Sequence, residues 1–206
     1  MIVLSFQERE RIVKTKIVFI QLGSPKTPNK KDVKSYLKEF LGDPRVVDLN
    51  PFVWKIILNC FVLPFRPKFS AKLYSRIWDG EKFPLIENTR LFSEKVENYL
   101  SGESDIEVEH CFILSTPRVS DLWDKWDKEE EEFELFLVPL FPQYSESTSA
   151  SVFDNFSHEA INRANIPGHQ FLQNFHRSKA FIDNSIKSIE NRFIKAKEDG
   201  VTLDKL

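Results

Sequence analysis

Four short apolar runs, each followed by a segment with helical spacing, constrain this chain more than any other feature. They lie near residues 16–22, 106–113, 133–140 and 170–175. The first, Lys16 to Leu22, is almost continuously apolar and stops at Gly23-Ser-Pro25. That is the pattern of a strand buried on both faces and closed by turn residues. Ile106, Val108, His110 and Phe112 alternate as a strand does, and Phe133 to Val138 is short, aromatic and β-branched. Between the strands, Asn29 is placed to cap a helix carrying Val33, Tyr36, Leu37, Phe40 and Leu41, and Thr89 to start one carrying Phe92, Val96, Tyr99 and Leu100. Leu122, Trp123 and Trp126 mark an amphipathic helix that runs into the glutamates of 129–132, and Ile182, Ile186, Ile189 and Phe193 mark a long one. Strands alternating with helices predict an α/β fold, a doubly wound four-stranded parallel sheet flanked by helices.

A chain of 206 residues fits one domain with a full core. With 41% hydrophobic residues and a formal charge of −2, its composition points to neither disorder nor nucleic-acid binding. Cys60 and Cys111 form no metal-type pair, so no metal site is expected and a reducing compartment is. Residues 1–14 read as an N-terminal extension whose acidic residues and short apolar run argue against a signal peptide, which predicts a cytoplasmic protein. The segment 51–67 is the most hydrophobic, yet Lys55 and its prolines leave it too short to span a bilayer. It reads either as a core helix or as an apolar lip that touches a membrane surface through Pro51 to Phe65.

The segment from Pro139 to Asp154 crosses from a strand to a helix. Its hydroxyls, Ser145, Ser147, Thr148, Ser149 and Ser151, include one or two that cap the helix, and Tyr144 stands ahead of them. Loops at the carboxyl ends of strands in such sheets face the ligand crevice. The expected crevice is roofed by the Gly23 turn and floored by the Tyr144 segment.

Leu137 to Thr148, with Pro142-Gln-Tyr-Ser145 at its centre, resembles the corresponding loop of the ferrochelatases, enzymes that insert ferrous iron into a porphyrin. Tyr36-Leu-Lys-Glu-Phe-Leu-Gly-Asp-Pro-Arg-Val-Val47 is similar almost letter for letter to another motif of that family, and Gln21-Leu-Gly-Ser-Pro25 to a third. The resemblance implies a chelatase-type, flavodoxin-like fold and a porphyrin, protoporphyrin or coproporphyrin, as ligand. It implies that Leu22 lies against the macrocycle, that Arg66, Lys68 and Tyr74 meet its propionates, and that Tyr144 lines the site. Ferrous iron is then a substrate, and no cofactor is permanently bound.

Two departures stand out. Phe83 occupies the place of a family serine, and Ile113 and Leu114 the place of an arginine and a tyrosine. The family's catalytic motif, Ser/Thr-x-His-Gly-Leu/Ile-Pro, follows the next strand, which Gly200 to Leu206 would begin. The resemblance therefore covers the N-terminal half, with no second domain and no catalytic residue assigned. His110 and His176 read as structural. Three outcomes stay open: a complementary C-terminal half supplies the base, a second copy of the chain does, or the protein binds porphyrin or heme without catalysis.

Overall fold

A computed structural model describes residues 13–103 and 105–200. Four parallel strands, β1 (Lys14–Gln21), β2 (Ile106–Phe112), β3 (Phe133–Pro139) and β4 (His169–Phe171), form one sheet in the order β2-β1-β3-β4. The helices are α1 (Lys30–Phe40), α2 (Pro51–Ile57), α3 (Leu63–Tyr74), α4 (Pro84–Tyr99), α5 (Val119–Trp126), α6 (Ser151–Ile161) and α7 (Lys179–Glu198). A π-helical turn, Leu58–Val62, joins α2 to α3, and another, Glu146–Ala150, leads into α6. The doubly wound parallel sheet expected from the sequence is thus the fold. Of the expected N-terminal extension, residues 1–12 lie outside the described residues, and Lys14 already opens β1.

β1 is the centre because it is apolar on both sides. Val18 and Ile20 face a core shared with α5 and α6, where Trp123 and Phe156 pack 5.2 Å apart. Phe19 faces the other way, toward Val108, Val138 and the Val96 and Leu100 side of α4. A third cluster, at the carboxyl end of the sheet, joins Val33, Tyr36 and Leu37 of α1 to Leu58 and Leu63. Within the expected lip, Leu58 and Leu63 are core, while Phe52, Phe61 and Phe65 are exposed.

Boundaries differ from expectation for identifiable reasons. Asn29 caps α1 as expected, its Oδ1 accepting from Asp32 N at 2.8 Å. α4 begins at Pro84 rather than Thr89, since proline suits the first helical position. Thr89 sits inside it and donates its hydroxyl to Leu85 O at 2.8 Å. β4 ends at Phe171 instead of near 175, because the amides of Phe175 and His176 both turn to Pro142 O, at 3.0 and 2.9 Å.

At the amino ends of the strands, Lys16 is wholly buried and bridges Glu107 at 2.7 Å and Glu129 at 2.9 Å. Lys14 and Lys125 also reach Glu107, at 3.0 and 2.9 Å. Burial pulls the Glu107 carboxyl up, but hydrogen bonds from Lys16, Lys125 and Lys14 prevail and hold it at about 2 against an ordinary 4.5. A carboxylate depressed in the folded state stabilises above its unfolded pKa and loses that contribution as pH falls toward the folded one. Urea unfolding should therefore show stability declining between pH of about 4.5 and about 2. Lys16→Met should lower stability near neutral pH by about 1–3 kcal/mol and flatten that acid decline.

Candidate functional site

β1 ends in a turn that needs glycine. Gly23 has φ +102°, and a Cβ there would lie 2.4 Å from Ser115 Oγ, so a side chain would be both strained and obstructed. Ser115 stands in the loop after β2 and latches this turn. Its Oγ accepts from Ser24 N at 2.8 Å and donates to Ser24 O at 2.7 Å. Leu114 N and Ile113 N donate to Leu22 O and Gln21 O, at 2.9 and 3.0 Å, extending the β1–β2 pairing into the two loops.

Above this latch lies a cleft of about 480 Å³, within the usual range of small-molecule sites. One wall is apolar, built from Phe83, Ile86 and Leu114, with Tyr36 beside them. Phe83 is buried, edge-on to Tyr74 at 5.5 Å and to Trp78 at 4.7 Å. Where the family has serine, this chain therefore has a packed hydrophobic wall. The polar rim carries Lys26, Lys82 and Arg118 together with Asp32, Glu39 and Glu81, so its charges balance. Arg118 pairs with Glu39 through both nitrogens, at 2.5 and 3.1 Å, and donates to Ile113 O at 3.2 Å. Lys82 meets Glu87 at 3.2 Å on the surface, whereas Lys26 has no ion pair among the described residues.

The phenol of Tyr36 donates to Gly23 O at 3.4 Å. Burial, and then the neighbouring Tyr74, push its pKa well above the ordinary phenol value, so it is a fixed donor rather than a base near neutral pH. Burial also raises Tyr74, opposed by its hydrogen bond with Tyr36 and by the charge of Arg66.

The expected crevice between the Gly23 turn and the Tyr144 segment is not where this cleft opens. β1 and β3 are adjacent, and Gln21 bridges their ends: its Nε2 donates to Leu140 O at 3.5 Å while its Oε1 accepts from Leu22 N at 2.8 Å. The cleft lies instead over the ends of β1 and β2. Leu22 is half-buried against the sheet core, Tyr144 is 46% exposed on the outer side of the crossing loop, and Arg66 and Lys68 are exposed on α3. Tyr74 touches Phe83 and Tyr36 from behind, the latter ring 6.0 Å away. None of these five residues lines the cleft itself. Arg118, Lys26 and Lys82 were missed by sequence reasoning. The available signal for Arg118 was a cation one residue past Pro117 at a strand's carboxyl end.

The motif from Tyr36 to Val47 ties α1 to the crossing loop and the start of α6. Asp43 accepts the hydroxyl of Ser151 at the start of α6, and Arg45 grips Asp154 with two hydrogen bonds, at 2.6 and 3.1 Å. A second cleft, about 770 Å³, lies at the opposite end of the sheet. Asp127, Glu129, Glu130, Glu131 and Glu134 crowd it, and Arg163 there is paired with Asp124 and Asp127. An anionic ligand would be repelled from it.

Residues 14–203 match the Ferrochelatase family model. The chain belongs to the ferrochelatase family. It is 35% identical over 178 residues to the ferrochelatase of Herminiimonas arsenicoxydans, covering 85% of this chain and 48% of that protein. It is 36% identical over 188 residues to the coproporphyrin III ferrochelatase of Enterococcus faecalis, covering 91% and 59%. With the ferrochelatase of Idiomarina loihiensis the figures are 35% over 179 residues, 86% and 49%. This ferrochelatase-like chain thus spans about half the length of the relatives it matches.

The latch gives a direct stability test. Ser115→Ala leaves the polar groups of Ser24 unpaired and should cost about 1–3 kcal/mol in chemical denaturation. Gly23→Ala should cost more, because it adds backbone strain to the collision with Ser115.

Proposed function

We propose that this chain is the porphyrin-binding part of a ferrochelatase, taking protoporphyrin or coproporphyrin into the cleft above β1 and β2, with ferrous iron as the second substrate of the assembled enzyme. The observation that carries this reading is an apolar wall beside Lys26, Lys82 and Arg118, on a rim of mixed charge, at the carboxyl ends of parallel strands. The macrocycle seats on Phe83, Ile86 and Leu114. Its propionates, drawn from water, take Lys26, Lys82 and Arg118 as partners. Arg118 is paired with Glu39 through both Nη atoms, so an incoming carboxylate takes Arg118 by displacing Glu39. Leu22 and Tyr74 support this seat from behind, whereas Arg66, Lys68 and Tyr144 stand outside the cleft lining and are not assigned to it. The name of the Enterococcus faecalis relative supports coproporphyrin as one candidate substrate.

Insertion joins iron to four pyrrole nitrogens and releases two protons, which requires an acceptor near neutral pH. Tyr36, held protonated by burial, does not serve. In this reading the base belongs to a complementary half, so the chain alone binds porphyrin and does not metalate it. A binder of porphyrin or heme without catalysis is the second reading. It is favoured by Ile113 and Leu114, which put aliphatic groups where the family has an arginine and a tyrosine.

The exposed phenylalanines of the lip, Phe52, Phe61 and Phe65, together with Phe69 just past it, form an apolar surface. In a cytoplasmic protein they suit peripheral contact with a membrane that delivers a poorly soluble porphyrin. No helix among the described residues is long and apolar enough to cross a membrane.

Titration with coproporphyrin III and protoporphyrin, without iron, should give a saturable shift of the main porphyrin absorbance band. The double variant Lys26→Ala, Lys82→Ala should bind about tenfold more weakly, a loss of about 1.4 kcal/mol. Adding ferrous iron anaerobically should leave the metal-free spectrum in place; conversion by the chain alone would contradict the need for a second half. No spectral shift with either porphyrin would refute the reading.

A further inference from the structure

Glu39 and Arg118 both line the cleft, from elements 79 residues apart in the chain. Glu39 stands in the last turn of α1, a helix fixed by its buried Val33, Tyr36 and Leu37. Arg118 caps α5, its amide donating to Asp121 Oδ2 at 2.7 Å, and Phe112 N holds the preceding Pro117 O at 2.8 Å. With both backbones fixed, the two side chains meet as a fork: Nη1 reaches Glu39 Oε1 at 2.5 Å and Nη2 reaches Oε2 at 3.1 Å. Nη1 also donates to Ile113 O at 3.2 Å. Glu39 therefore gives Arg118 what a ligand carboxylate would give it, two coplanar oxygens on two parallel donors.

This pair is open to exchange. The side chains of Arg118 and Glu39 are 41% and 44% exposed, and exposed ion pairs are weakly held. Among the described residues Glu39 has no other cationic partner. A small carboxylate, however, offers Arg118 no more than Glu39 already does, and after the exchange it would sit beside the displaced like charge. A carboxylate carried on an apolar body differs. Burial of that body against Phe83, Ile86 and Leu114 supplies a driving force that a small anion lacks.

We propose that Glu39 is a specificity-determining residue, an internal competitor that occupies the Arg118 fork and yields it only to a carboxylate anchored by an apolar body on the cleft wall. The inference rests on the proposed porphyrin site for its ligand and adds the residue that keeps small anions off Arg118.

Absorbance titration with coproporphyrin III, without iron, compares the full chain with single and double variants at exposed positions. Glu39→Gln should tighten binding about fivefold. Glu81→Gln removes a rim carboxylate that has no cationic partner among the described residues, and should change binding less than about twofold. In an Arg118→Gln background, Glu39→Gln should add nothing, a coupling that a general change of charge would not produce. Phenylglyoxal, an arginine-selective reagent, should modify Arg118 about fivefold faster in Glu39→Gln by peptide mass mapping, and excess acetate should slow that reaction in the variant alone. Equal tightening by both glutamine variants, a gain that persists without Arg118, or Arg118 modification rates that Glu39→Gln leaves unchanged would each overturn the proposal. If no variant binds coproporphyrin the cleft reading falls, and the phenylglyoxal and acetate rates still decide whether Glu39 masks Arg118.

Discussion

The organisation of this molecule depends on one contact, the closure of Ser115 over the Gly23-Ser24 turn. Parallel strands leave their carboxyl ends as separate loops, and here the ladder ties them only as far as Leu22 and Leu114. Here a single hydroxyl makes two hydrogen bonds to the backbone of Ser24, and the positive φ of Gly23 lets the turn lie flat beneath it. With the ends of β1 and β2 fixed, α1 and the start of α4 form the sides of a cleft rather than a loose set of loops. Tyr36 adds its own bond to Gly23 O from α1. The pairs Asp43 with Ser151 and Arg45 with Asp154 then couple that wall to α6. The stretch most similar to the family is therefore a mechanical tie.

The order and type of the elements were legible because a parallel sheet covered on both faces writes itself as short apolar runs. Lys16 to Leu22 and Phe133 to Val138 could hardly be anything else. The position of the cleft was not legible. The reversal of strand order between β1 and β3 directs attention to the Tyr144 loop, but the side chain of Gln21 spans that junction, and no pattern of hydropathy announces a glutamine amide bridging two strand ends. Arg118, Lys26 and Lys82 were likewise invisible, since isolated cations in loops look the same whether they face a cleft or bulk water. Phe83 was noted as a departure from the family. Its meaning emerged only when it proved to be buried against Tyr74 and Trp78.

The two ends of the sheet differ in electrical character. The amino end gathers glutamates around the buried Lys16 and is stabilising rather than receptive. The carboxyl end presents three cations and three carboxylates beside an apolar wall. The exposed apolar surfaces lie elsewhere again, on the lip and along α7. The described residues therefore carry one cleft with an apolar wall and two exposed apolar surfaces.

Ring-current shifts in the methyl NMR spectrum, recorded with a metal-free porphyrin bound, test the position of the ligand most directly. A macrocycle seated in the cleft should move the methyl signals of Ile86 and Leu114 upfield strongly, leaving those of Val152 near the crossing loop almost unchanged. Shifts concentrated around the crossing loop, or on the α7 stripe with the cleft methyls unmoved, would contradict the account.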